Sequence, residues 1–114
     1  MEQADRSFAQ LRRGIVEYCL LALLVREERY GFDLVRSLSQ SGLVAGEGTV
    51  YPLLTRLARD AYVTTTWRES PSGPPRKYYA ITARGKQALA QFQPEWARFR
   101  GAVDRLFEQG EEEP

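Results

Sequence analysis

The sequence predicts a mainly α fold of the α+β class, in which three helices are followed by a β-hairpin and one long helix. Apolar residues recur at steps of three and four in four segments, and two β-branched, aromatic segments flank a run of turn-forming residues. The length of 114 residues suits one domain. A domain of this size has a modest core, so help from a partner subunit would be unsurprising.

The first two helices are predicted from apolar periodicity. One extends from about Ser7 to Glu27, and its second half, residues 18–25, is apolar nearly all round, as expected of a central core helix. Its recurring apolar residues are Phe8, Leu11, Ile15, Cys19, Ala22 and Leu23. A second, short helix follows Tyr30 and ends near Gln40, where Gly42 suits the left-handed position just past a helix end.

The third helix is predicted within residues 47–61, because Val50, Leu53, Leu54, Leu57 and Ala61 share one stripe. Pro52 is tolerated only in a first turn, so the helix begins close to residues 47–49. The opposite side is polar and cationic, and it carries Gly48, Pro52, Thr55 and Arg59, flanked by Tyr51 and Arg56.

A hairpin and a long helix complete the chain. Residues 62–68 and 77–81 have strand composition, and the link at residues 69–76 predicts a long polar tip. The last helix begins near Thr82, a suitable N-cap, and Pro94 is predicted to bend it. Its apolar residues alternate at steps of three and four, as in a heptad seam: Leu89, Phe92, Trp96, Phe99, Val103 and Leu106. This order of elements is that of a winged helix-turn-helix with a long C-terminal helix.

Composition argues against catalysis. The chain has no histidine, and we find neither a carboxylate cluster nor a glycine-rich phosphate loop, so we expect no catalytic residue, metal ligand or cofactor. The single cysteine, Cys19, lies in the most apolar helix and is interpreted as an inert core thiol. The longest apolar run is too short to span a bilayer, and the first residues lack a secretory signal. We therefore expect a cytoplasmic protein with no membrane contact.

The charge distribution is uneven although the net charge is only +1. Without the last seven residues, which hold four glutamates, 16 basic side chains face 11 acidic ones. Residues 49–86 carry seven basic and two acidic side chains, an excess of five. Such an excess suits a phosphate-binding surface, although charge alone favours an ordinary solvated face.

A winged helix-turn-helix lays its third helix in the major groove of DNA while the hairpin follows the backbone. Arginine, tyrosine and threonine side chains on the outward side of the helix can contact the groove, and cations in the hairpin can bind phosphates. Small residues at the tip can approach a minor groove. The candidate DNA-binding residues are Thr49, Tyr51, Pro52, Thr55, Arg56, Arg59, Arg68, Ser72, Gly73, Arg76 and Lys77.

The third helix contains Gly48-Thr49-Val50-Tyr51-Pro52-Leu53-Leu54-x-Arg56-Leu57, which closely resembles the recognition helix of the PadR family of bacterial transcriptional regulators. Further matches, in order and spacing, are Arg13-Gly14, Tyr30-Gly31-Phe32, Gly73-Pro74-x-Arg76-Lys77-Tyr78-Tyr79, Thr82-x-x-Gly85 and Trp96. Together they cover roughly residues 11–100 and resemble the compact subgroup of the family, which has a single C-terminal helix.

The resemblance implies a homodimeric repressor that binds a palindromic operator in double-stranded DNA. The last helix would pack on the partner's N-terminal helix through the seam of Leu89, Phe92, Trp96, Phe99, Val103 and Leu106. Flat aromatic ligands can enter a pore at the dimer centre in the compact subgroup. Trp96 matches the tryptophan of that pore, with Phe8, Leu11, Arg12, Ile15 and Phe99 as its expected neighbours. Pro94 stands close enough to Trp96 to reshape or close such a pore.

Several alternatives stay open at this point. Tyr51 either contacts DNA or packs at the helix edge, and Trp96 is either a ligand platform or plain dimer core. Trp67 and Tyr79 are assigned to packing under the hairpin. The expected organisation is a DNA-binding unit at residues 1–81, a dimerisation helix at 82–110 and an acidic tail at 111–114. The rival function is a winged-helix protein-interaction module that does not bind DNA.

Overall fold

The computed structural model describes the backbone of residues 2–44 and 47–112 and the side chains of residues 10–44 and 47–110. Its elements confirm the predicted class, a mainly helical chain with one small antiparallel sheet. In chain order they are α1 (Glu2–Leu24), β1 (Arg29–Tyr30), α2 (Gly31–Gln40), α3 (Glu47–Arg59), β2 (Val63–Ser70), β3 (Gly73–Ile81) and α4 (Ala83–Glu112).

Two helix ends are closed by the same backbone device. Gly42 has a φ of 83°, as predicted, and Leu43 N donates to Leu38 O at 3.2 Å. At the end of α3 the equivalent residue is Ala61, with a φ of 64°, and Tyr62 N donates to Leu57 O at 2.9 Å. Both are Schellman endings. The prediction that Ala61 continues the α3 stripe is therefore wrong, because Ala61 turns the chain into the hairpin.

The hairpin has a short tip, not the long one predicted. Strand pairing continues outward to Ser70 and Gly73, with a bulge between Arg68 and Ser70, so the turn is only two residues long. Prolines are accepted in β3 because its N-terminal half borders β2 alone, while β1 pairs only near Tyr78 and Tyr79. The two-residue strand β1, which the sequence analysis did not predict, makes the sheet three-stranded in the order β1-β3-β2.

The core lies between the first three helices, the base of the hairpin and the start of α4. Its most deeply buried side chains are Val16, Leu20, Leu21, Leu24, Leu34, Val50, Leu54 and Val63. In α1 this face is shifted by one residue from the predicted stripe: Leu11 and Ala22 are exposed, and Ile15, Cys19 and Leu23 are half-buried. The helix therefore has two apolar faces, of which periodicity alone selected the less buried one.

Tyr79 and Trp67, the two aromatic residues assigned to packing under the hairpin, differ in burial. Tyr79 is 4% exposed and belongs to the core, as predicted. Trp67 is 64% exposed, so its assignment to packing is wrong. Trp67 has the same strand parity as buried Val63, but it stands four residues further out, where the hairpin has passed the end of the core.

The start of α4 is fixed tightly to the body. Thr82 caps the helix as predicted: its Oγ1 accepts from Gly85 N at 3.0 Å and donates to Ala61 O at 2.7 Å. The helix is continuous through Pro94 and extends to Glu112, so the predicted acidic tail begins as helix. At 1.5 Å per residue its 30 residues span about 45 Å, which agrees with a molecule 62 Å long.

Candidate nucleic-acid interface and apolar groove

The outward side of α3 exposes most of the residues predicted to contact DNA. Pro52 and Thr55 are exposed, and the side chains of Arg56 and Arg59 are 60% and 70% exposed. Thr49 is half-buried at the start of the helix. Thr55 Oγ1 donates to Tyr51 O at 3.0 Å, a bond within the helix that a groove contact could replace. This side of α3 is therefore cationic and accessible to a groove of DNA.

Both α3 arginines are held by neighbouring carboxylates. Arg56 Nη1 lies 3.2 Å from Glu17 Oε1 on α1, and Arg59 Nε donates to Asp60 Oδ1 at 3.2 Å. The hydrogen bond from Arg59 lowers the pKa of the Asp60 carboxyl. Exposed ion pairs contribute little to stability, so these guanidinium groups can exchange their carboxylates for phosphates at small cost.

The hairpin carries cations stacked on aromatic rings. The Arg68 guanidinium pairs with Glu28 and lies 5.0 Å from the centre of the Tyr78 ring, and that of Arg76 lies 4.9 Å from the Tyr30 ring. Such stacking fixes the direction of a long side chain while leaving its donors available. Ser72 and Gly73 are exposed at the tip, as predicted.

A cleft of about 360 Å³ separates α3 from the hairpin. We call it the wing cleft; it is lined by Tyr30, Gly31, Tyr51, Thr55, Trp67, Pro75, Arg76, Lys77 and Tyr79. Lys77 Nζ lies 5.8 Å from the Trp67 ring centre and 5.7 Å from that of Tyr79. The cleft thus combines a cation, phenol hydroxyls and apolar ring faces.

Tyr51 belongs to both the core and the cleft. It packs against the buried cluster, and burial, followed by Glu47 and Tyr30, raises the pKa of its phenol. Burial and the nearby Tyr51 likewise raise the pKa of Tyr79. A Cβ at position 31 would lie 3.2 Å from both Tyr51 Cε1 and Tyr79 Cε1, which explains the glycine there. Tyr51 therefore packs at the helix edge and also lines the wing cleft, and its contact with DNA stays a prediction.

The second candidate site is a shallow apolar groove of about 330 Å³ between α1 and α4. We call it the helix groove; it is lined by Leu11, Ile15, Phe92, Glu95, Trp96 and Phe99. Four of the six predicted ligand-contacting residues are in this lining, and Arg12 lines an adjoining pocket with Leu11 and Ile15. Phe8, also predicted, lies outside the residues whose side chains the structure describes.

Aromatic rings continue from the helix groove into the body. The Tyr18 and Phe92 rings stack face to face, with centres 3.8 Å apart and planes 2° from parallel. Phe92 lies 6.1 Å from Trp96, which lies 6.5 Å from Phe99. The packed rings therefore connect the helix groove to Tyr18. Tyr18 directly follows Glu17, which forms the ion pair with Arg56.

The predicted seam of α4 divides into two parts. Leu89 is 7% exposed and packs in the core of its own chain, and Phe92, Trp96 and Val103 are half-buried. Phe99 and Leu106 are exposed, together with Phe107 beside them. Intrachain packing therefore accounts for the beginning of the seam and leaves its C-terminal part open.

Other features bear on the excluded function classes. Cys19 is half-buried, and desolvation raises the pKa of its thiol, which lowers its reactivity. Within the described residues no group of three or more acidic or cysteine side chains is arranged to hold a metal ion. In the same part of the chain, no helix has the length and apolar character needed to cross a bilayer.

Sequence reasoning missed three contributors to these sites. Glu17 and Glu28, which hold site arginines, lie far from them in sequence, and no local pattern connects such pairs. The exposure of Trp67 could have been anticipated from its distance along the strand beyond the last buried residue, Val63.

Comparison with known proteins identifies relatives of the same architecture. The family model described as "Transcriptional regulator PadR-like family" matches residues 20–91. A PadR-like transcription factor structure from Bacteroides fragilis is 39% identical, with a TM-score of 0.74 over 89% of this chain and 98% of that one. A PadR family regulator structure from Eggerthella lenta is 33% identical, with a TM-score of 0.79 over 94% of each chain.

A protein of uncharacterized function from Lysinibacillus sphaericus is 30% identical over 99 residues, which are 84% of this chain and 91% of that protein. The family match confirms the resemblance drawn from the α3 string and the hairpin. Members of the family are transcriptional regulators with a winged-helix DNA-binding fold. The chain belongs to the PadR-like family of transcriptional regulators.

Proposed function

We propose that this chain is a homodimeric repressor that binds a palindromic operator and is released by a flat aromatic ligand bound at the dimer centre. The observation that carries the proposal is the exposure of Arg56 and Arg59 on the outward side of α3, beside a hairpin whose cations Arg76 and Lys77 line the wing cleft. An acidic or apolar outward side on α3 would favour the rival protein-interaction module, and this side is neither.

In the proposed complex, α3 enters the major groove and the hairpin follows the backbone. The α3 contacts are Thr49, Tyr51, Pro52, Thr55, Arg56 and Arg59. In the hairpin, Arg68, Arg76 and Lys77 bind phosphates, and Ser72 and Gly73 reach the minor groove. Guanidinium groups suit this role because they bind phosphates and guanine edges with two donors at once.

The proposed dimer forms through α4. Residues 82–110 supply a helix whose exposed apolar side chains lie beyond the body of their own chain, and residues 1–81 supply the DNA-binding unit. A small domain gains stability when such a surface is covered by a second copy. Leu89 is buried in the core of its own chain, so we assign the interface to the remaining residues of the seam: Phe92, Trp96, Phe99, Val103 and Leu106.

The helix groove is the proposed ligand site. Its aromatic and aliphatic lining suits a planar apolar molecule, and a second copy packed along α4 would enclose it. Two half-sites one turn apart require the recognition helices to stand about 34–36 Å apart. A ligand that shifts α1 against α4 would change that separation, and the stacked Tyr18 and Phe92 rings join the two helices at that point.

The test is fluorescence anisotropy with labelled DNA from upstream of the chain's own gene, a scrambled duplex and a salt series. We expect tight, sequence-selective binding that weakens steeply with salt. Arg56→Ala should weaken binding at least tenfold and reduce the salt slope by about two, one for each protomer, whereas Arg98→Ala, a similarly exposed arginine on α4, should leave both unchanged.

The outcomes separate the two functions. Equal losses in the two arginine variants would mean that net charge, and not the α3 surface, governs binding. Absence of binding to either duplex at low salt would contradict the repressor and favour the interaction module.

A further inference from the structure

Trp67 is an exposed aromatic side chain that neither the core nor the proposed arginine contacts explain. The indole stands on β2 with 64% of its surface open to water. Leaving so large an apolar group exposed has a cost that a binding partner would recover.

The strand register fixes the direction in which Trp67 projects. Trp67 pairs with Lys77, Thr65 pairs with Tyr79, and Val63 pairs with Ile81. Directly paired residues share one face of a hairpin, and Val63 and Tyr79 on this face are buried toward the helices. Trp67 therefore lies on the α3 side of the hairpin, at the outer end of the wing cleft.

The surroundings of Trp67 define the chemistry of its partner. Lys77 Nζ lies 5.8 Å from the indole centre, and Tyr51 and Thr55 line the opposite wall. A ligand that contacts the indole, the Lys77 ammonium and the hydroxyls of the opposite wall must present a negative charge beside an apolar surface. The phosphate and deoxyribose of a DNA strand present these two features side by side. A strand that passes between α3 and the hairpin would bring its phosphate to Lys77 and its sugar to the Trp67 indole.

We propose that the wing cleft seats one sugar–phosphate unit of the operator, with the Trp67 indole packed on the deoxyribose and Lys77 bound to the adjacent phosphate. This inference rests on the proposed DNA binding and adds a residue and a mode of contact to it. Trp67 contacts no base edge in this arrangement, so it contributes affinity without sequence preference.

The first experiment measures affinity. Trp67→Ala is expected to bind DNA about tenfold more weakly, by the same factor for operator and scrambled duplexes, with the salt slope unchanged because no charge is lost. The matched control is Thr66→Ala, since Thr66 is the adjacent exposed residue on the opposite face. Thermal unfolding should be nearly unchanged in both variants, which separates a contact from a folding defect.

The second experiment measures acrylamide quenching of tryptophan fluorescence. The chain has two tryptophans, so Trp67→Phe leaves only Trp96. DNA should protect part of the wild-type emission from acrylamide and should give no such protection in Trp67→Phe.

Each contrary result has a distinct meaning. Unchanged affinity in Trp67→Ala, or DNA protection that persists in Trp67→Phe, would overturn the role of Trp67 while leaving DNA binding intact. A loss confined to the operator would overturn the sugar contact, since it would indicate base reading. If the unaltered chain binds no DNA, the proposed function and this inference both fail.

Discussion

The two tryptophans occupy surfaces of opposite character. Trp67 stands over a cleft that contains Lys77 and Arg76, whereas Trp96 stands in a groove whose other walls are Phe92, Phe99, two aliphatic side chains and Glu95. The same residue type therefore stands in two different settings, and in our proposals its neighbours select a charged polymer in one place and an apolar surface in the other.

The difference follows from where each surface lies in the chain. Most of the wing cleft belongs to a segment with five excess positive charges, and its inner end rests on the core through Tyr51 and Tyr79. The helix groove lies along α4, which after Leu89 packs on α1 and leaves Phe99, Leu106 and Phe107 exposed. In the proposed dimer, the wing cleft is complete in a single copy, whereas the helix groove is completed by the second copy.

The largest expected effect comes from breaking the proposed dimer interface of α4, beyond the helix groove. Leu106 is 66% exposed, and Leu106→Glu would place a carboxylate in the proposed interface. We expect the sedimentation mass to fall to that of a monomer. Operator affinity should fall at least a hundredfold, because the two half-sites would no longer be bound by one linked molecule.

Gln109→Glu is the matched control for Leu106→Glu, since it adds the same charge at an exposed position of α4 three residues on. A Leu106→Glu protein that remains dimeric would remove the C-terminal part of the seam from the interface. The body should stay folded in either variant, which circular dichroism checks.

Sequence reasoning succeeded where the signals are local. The four helices follow from periodicity. Gly42 marks the end of α2 through its left-handed backbone, and Thr82 marks the start of α4 through its capping side chain. The α3 string placed the chain in its family together with the other matches, through their common order and spacing.

What sequence reasoning missed depends on contacts between distant segments. Strand β1 exists because Arg29 and Tyr30 find a free edge of β3, and two residues carry too little pattern to reveal that. The exposed cationic surface was anticipated, but its carboxylate partners and the position of Trp67 beyond the core depend on how α1 and the hairpin pack.

A smaller effect is expected from the ligand side of the comparison. In Trp67→Phe, the remaining Trp96 should lose fluorescence when the planar dye acridine orange is added, because the ring would stack beside the indole. In Trp96→Phe the remaining Trp67 should keep its fluorescence, and dye affinity measured by dialysis should fall about five- to tenfold in Trp96→Ala. Equal quenching of the two tryptophans would mean that the dye does not distinguish the two surfaces.

The last effect is on the stability of the fold. It tests the contact between the start of α4 and the hairpin base, which connects the two surfaces. Gly85 lies where the first turn of α4 meets the hairpin base, and a Cβ there would stand 2.3 Å from Tyr62 O and 2.7 Å from Ile81 Cγ1. Gly85→Ala must push α4 away from the hairpin base, which we expect to destabilise the fold by about 1–3 kcal/mol. Gly14 is the matched control, since it is also a helical glycine, but a Cβ there meets no atom of the described residues within 4 Å.

Gly14→Ala should raise stability by about 0.5–1 kcal/mol, because it removes the entropy penalty of glycine in a helix without a clash. Thermal unfolding of the two variants should therefore shift in opposite directions. If Gly85→Ala unfolds at the wild-type temperature, α4 is not tightly seated on the hairpin base. Movement of α4 could not then be transmitted from the helix groove to the wing cleft through this joint, which would leave the stacked Tyr18 and Phe92 rings as the connection between them.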